Sequence, residues 1–107
     1  MTLFRFIGLC ATAVVLTHSS PAQAVPTGAQ ICKKMISDGR ANGQTQQQCL
    51  CRHAAADSVL DDDIKTLLFD AWYTGTNNMA ALEALPNPRR VQKQMRSLSR
   101  KIKKTCS

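Results

Sequence analysis

The sequence predicts an all-α domain of four or five helices, stapled by two disulfides and preceded by a cleaved signal peptide. Three observations carry that expectation. Apolar residues recur at helical spacing over two long stretches, and no segment shows sustained strand alternation. Four cysteines (Cys32, Cys49, Cys51 and Cys106) lie beyond the opening segment, an even number that suits a disulfide framework in an exported chain. The opening segment itself has the form of a secretory signal.

Residues 1–24 hold one positive charge, Arg5, and then an apolar run from Phe6 to Leu16. Ala22 and Ala24 occupy the positions of a small-residue cleavage site. The run is about half the roughly 20 residues that a membrane span requires. A cleaved signal leaves residues 25–107 as a single small domain in an oxidising compartment, periplasmic or secreted. Cys10 leaves with the signal. So do Phe4 and Phe6, which makes Phe69, Trp72 and Tyr73 the only aromatics of the remaining domain. A domain of this size buries only about 60% of its unfolded surface, so covalent support is expected.

The elements follow in chain order. Residues 25–28 read as a flexible leader. A first helix spans about residues 29–38, with Cys32, Met35 and Ile36 on one face and Gly39 suited to the position after its end. Gly39, Asn42 and Gly43 mark a loop. Thr45 and Gln48 form a capping box, opening a helix that runs to about Leu60. Asp61, Asp62 and Asp63 suit the positive end of the next helix and read as capping and solvation, since a calcium loop wants spaced ligands around a glycine. Ile64, Leu67, Leu68, Ala71 and Trp72 form its core-facing stripe, with Phe69 to one side, and Gly75 ends it. Asn77 or Asn78 caps a short helix from Met79 to Leu85. Asn87 and Pro88 start the last one by the rule that proline suits the first helical position. Its stripe is Val91, Met95, Leu98, Ile102 and Cys106.

Cys49 and Cys51 stand two apart on one helix, about 200° around its axis, and cannot face each other. Each needs a distant partner. Either Cys32 pairs with Cys49 and Cys51 with Cys106, or Cys32 pairs with Cys51 and Cys49 with Cys106. The spacing does not choose. A metal site of Cys49, Cys51 and His53, with Cys32 as a fourth ligand, is the weaker alternative, because Cys51 faces away and exported thiols oxidise.

Charge is distributed unevenly. Residues 86–107 carry eight basic residues and no acidic one, whereas residues 25–85 carry five basic and seven acidic. Arg89, Arg90, Lys93, Arg96, Arg100, Lys101, Lys103 and Lys104 all lie off the apolar stripe of the last helix and form a candidate binding face. Export argues against nucleic acid as its target and favours an envelope protein or an anionic envelope surface, lipid or polysaccharide. His53 is the only histidine of residues 25–107, and neither a nucleophile elbow nor a phosphate loop is present. The expected protein is therefore non-catalytic, without a cofactor, and acts by binding. A membrane-active cationic effector is the alternative from another class.

Overall fold

A computed structural model describes residues 25–106, and the expected signal segment lies outside them. The described residues form five α-helices: α1 (Gly28–Ser37), α2 (Gln46–Val59), α3 (Asp62–Thr74), α4 (Met79–Glu83) and α5 (Pro88–Thr105). No strand occurs among them. The disulfides resolve the pairing left open by spacing: Cys32 with Cys49, and Cys51 with Cys106. Cys49 faces α1 and Cys51 faces α5, so α2 is tethered on opposite sides.

Two helices open with the same device. At α2 the Gln48 N–H donates to Thr45 Oγ1 (3.1 Å) while the Thr45 N–H donates to Gln48 Oε1 (2.9 Å). At α1 the Gln30 N–H donates to Thr27 Oγ1 (3.2 Å) and the Thr27 N–H to Gln30 Oε1 (2.9 Å). The segment before α1 is thus shorter than the expected leader of residues 25–28. Thr27 is a capping residue, and Gly28 is the first residue of α1. Gly28 also sits against α2: a Cβ there would lie 2.7 Å from His53 Nδ1.

The core joins Ile31, Ala55, Ala56, Leu60, Ile64, Phe69, Leu82, Val91 and Leu98. Two positions depart from the sequence pattern. On α1 the buried residues are Ile31 and Cys32, flanked by half-buried Met35, while Ile36 is 40% exposed. At about 100° per residue, Ile36 stands just beyond the sector that faces α2 and α3. On α3, Phe69 is buried and Trp72 only half-buried, the reverse of their expected ranking. The cause is His53 of α2, whose ring stacks on Phe69 with centroids 4.2 Å apart and covers that flank. Burial in turn lowers the pKa of His53 below its ordinary value, by desolvation of the charged form.

The remaining ends follow local rules. Gly75 closes α3 in the left-handed region at φ 77°, as its place in the sequence suggested. Asn77 Oδ1 accepts from the Met79 N–H (3.0 Å) at the start of α4, and Asn78 Nδ2 donates to the Leu67 carbonyl (2.8 Å). Asn87, at φ 58°, accepts from the Arg90 N–H at the start of α5.

Candidate functional site

The last helix divides the candidate binding face in two. On a helix of 3.6 residues per turn, Val91, Met95, Leu98, Ile102 and Cys106 cluster in one sector. Val91 and Leu98 are buried, and the other three are half-buried. Arg89, Lys93, Arg96, Arg100, Lys103 and Lys104 fall in a sector of about 100° on the opposite side, all of them exposed. Arg90 and Lys101 lie between the two, on the flank beside the α2–α3 corner.

That flank is a structural contact. Arg90 reaches Asp63 through both terminal nitrogens (2.8 and 2.7 Å) and Asp61 through Nη1 (2.8 Å), and it also donates to the Pro86 carbonyl (3.1 Å). One turn on, Gln94 Oε1 accepts from the Asp61 N–H (2.8 Å). Lys101 Nζ donates to Ser58 Oγ (2.6 Å). Asp61 and Asp63 therefore anchor α5, while Asp62 stays exposed and pairs with Lys65; the expected capping by Asp61 is absent, since it makes no side-chain capping bond to α3. The Arg90 guanidinium holds the Asp63 carboxyl down to about 2 and lowers that of Asp61. A bidentate carboxylate–guanidinium fork fixes orientation as well as charge.

Counterion use explains why the outer face stays uncompensated. Asp38 pairs with Lys34 and Arg40, Asp57 and Asp62 pair with Lys65, and Asp61 and Asp63 take Arg90. Asp70 accepts from Asn78. Among the described residues, no carboxylate lies within ion-pair distance of the six outward cations of α5. Arg89, Arg90 and Lys93 further edge a groove of about 550 Å³ with Gln94 and Ser97, and no carboxylate lines it.

Both cysteine pairs are disulfides, so Cys32, Cys49 and Cys51 offer no thiolate to a metal and the metal alternative keeps only His53 of its four ligands. The described residues also hold no other cluster of three metal-ligating side chains.

Sequence reasoning missed Arg40. It lies in the Gly39–Gly43 loop, where the sequence marks only the turn residues. Its Nη1 donates to the Trp72 carbonyl (2.8 Å) and its Nη2 to the Tyr73 carbonyl (3.1 Å) and Asp38 (3.1 Å). These carbonyls belong to the last turn of α3, which has no intrahelical partners left. Only the glycine bracket around Arg40 hinted at a shaped loop. Behind it lies a cavity of about 350 Å³ lined by Met35, Arg52 and Trp72 among others.

No family model, curated protein or solved structure matches this chain. No helix of the described residues is long and apolar enough to cross a membrane.

Proposed function

We propose that this protein is exported by cleavage after Ala24 and acts without catalysis, adhering to an anionic envelope surface through the outward face of α5. The observation that supports the reading is the division of charge: six exposed cations share one face without a carboxylate partner, while the carboxylates of α1 to α3 are taken up within the domain. The two disulfides fit an oxidising location. The membrane-active alternative is less well supported, because α5 buries Val91 and Leu98 in the core and is tied to α2 through Cys106. A helix cannot offer the same apolar face to core and lipid.

Cosedimentation with vesicles of phosphatidylglycerol, against vesicles of phosphatidylcholine, tests the reading. Wild type should bind only the anionic vesicles and should weaken steeply toward 0.15 M salt, where screening acts beyond about 8 Å. A triple variant, Arg96→Glu, Arg100→Glu and Lys103→Glu, should bind about a hundredfold more weakly or worse, since each cation near such a surface counts for about one kcal/mol. Its melting temperature should stay near that of wild type. Equal binding by the variant would remove the basic face from the function. Leakage of the vesicles would favour the membrane-active class. Amino-terminal sequencing of exported protein should start at Val25, and an intact Met1 on that form would overturn the processing step.

A further inference from the structure

We propose that the half-open cavity between α1, the Gly39–Gly43 loop, α2 and the end of α3 binds a small organic carboxylate with an apolar body. Its volume, about 350 Å³, lies at the lower end of the 300–1,000 Å³ range of ligand sites, so a compact occupant fits. Trp72 and Met35 give it an apolar wall, Arg40 and Arg52 line it as cations, and no carboxylate does. The two arginines play different parts. Arg40 is committed to the Trp72 and Tyr73 carbonyls and to Asp38, and is a fixed wall. Arg52, half-buried on α2, has no hydrogen-bond or ion-pair partner among the described residues.

The charge and shape of the ligand follow. A guanidinium offers its N–H groups in a planar fork that matches a carboxylate bidentately. With a single uncommitted fork, the cavity matches one negative charge better than a phosphoryl dianion, which needs more donors. A neutral apolar molecule would strip water from Arg52 and from the Asn42 and Gln44 amides that also line the cavity, with nothing returned. An anion without an apolar body would leave Trp72 and Met35 wet. The cavity shares no lining residue with α5, although Arg52 also edges a second groove beside Lys103.

Hexanoate and phenylacetate are the probes, with acetate and hexanol as the body-less and charge-less controls. Two-dimensional NMR of the disulfide-intact protein follows the Trp72 indole N–H, the only one in the chain. Both carboxylates should shift that signal saturably at millimolar concentration, and both controls should act at least about tenfold more weakly. Arg52→Gln should lose about tenfold or more in affinity, as a charge-assisted pair lost on binding does. Arg52→Lys should recover part of it, and both variants should melt as wild type does. A double variant on the outward face, Arg96→Glu with Arg100→Glu, should bind the probes unchanged, which separates this site from adhesion; Lys103 is left intact because it edges a groove beside Arg52. No saturable shift with either acid, hexanol binding as well as hexanoate, or Arg52→Gln binding as well as wild type would each overturn the proposal.

Discussion

The assembly of α1, α2 and α3 and the last helix are both tied to the fold by one disulfide, yet they are held in different ways. In the first region the Cys32–Cys49 bridge is buried, with Cys32 at 0% and Cys49 at 3% exposure, and the fully buried Ile31 and Ile64 belong to the same region. In the second, Cys51 and Cys106 are both half-buried, and the bridge closes the far end of a helix whose other end is held by Arg90. Dry packing secures the first region. A covalent clip, a short apolar stripe and a charged clamp secure the second. That allocation leaves α5 free to spend its outer face on unpaired charge, because its position does not depend on that face.

Removing one bridge at a time breaks the comparison most directly. The chain-entropy model gives about 3 kcal/mol for the 17-residue separation of Cys32 and Cys49, and about 4 kcal/mol for the 55-residue separation of Cys51 and Cys106. Loop length alone thus ranks the α5 bridge higher. Burial reverses the order. Cys32→Ser places a hydroxyl at a fully buried position, which adds about 1–3 kcal/mol when it finds no partner. We expect denaturant unfolding to show Cys32→Ser losing the most, and Cys106→Ser about 4 kcal/mol at most. Under limiting dithiol, alkylation and mass spectrometry should find Cys51 and Cys106 modified first, since a thiolate must reach the sulfur it attacks. Equal modification of both pairs would remove the contrast.

A smaller effect probes how closely α1 and α2 approach. Gly28→Ala puts a methyl 2.7 Å from His53 Nδ1, and the ring cannot swing away freely because it stacks on Phe69. Overpacking of this kind costs about 1–3 kcal/mol. Gly39 offers no such contact, so it serves as the steric control, although its φ of 71° disfavours any side chain. The His53–Phe69 stack also carries a pH dependence. The His53 pKa is lowered on folding, so the unfolded chain binds the extra proton first. The stability linked to His53 is present above its ordinary pKa, near 6.5, and is lost as pH falls below it.

How much of this was readable beforehand depended on range. The capping box at Thr45, the stop at Gly75, the start at Asn87 and Pro88, and the stripe of α5 are local patterns, and the structure has them where the sequence put them. The box at Thr27 is equally local, in a stretch that the cleavage site makes read as a leader left by processing. The choice between two disulfide pairings was not local: spacing excluded a Cys49–Cys51 bridge but could not rank the rest. Arg90 with Asp61 and Asp63, and Arg40 with the end of α3, join residues 27 to 33 positions apart. No periodicity in either segment announces its partner. The same limit leaves eight cations grouped on one face in the sequence, where the structure pairs Arg90 with Asp61 and Asp63 and bonds Lys101 to Ser58. Helical position already sets Arg90 and Lys101 on the flank of that face, and the α2–α3 corner supplies the partners that no pattern announces.

The gentlest test concerns that clamp, and it sharpens the comparison by separating charge from covalent tether. Arg90→Met keeps much of the side-chain bulk and removes the fork to Asp61 and Asp63. Both carboxyls are lowered in the folded protein, Asp63 to about 2. A carboxyl lowered on folding stabilises above its unfolded pKa of about 4 and loses that contribution as pH falls toward its folded value. Thermal melts at pH 7 should therefore place Arg90→Met modestly below wild type, as expected for an ion pair in contact with solvent. The two curves should converge between about pH 4 and pH 2. With Cys51–Cys106 intact, the variant should keep its helical circular dichroism throughout, because the far end of α5 remains fixed. A gap that persisted unchanged to pH 2 would show that Arg90 acts by packing of its stem and not by its charge. The hold on α5 would then be apolar and covalent alone.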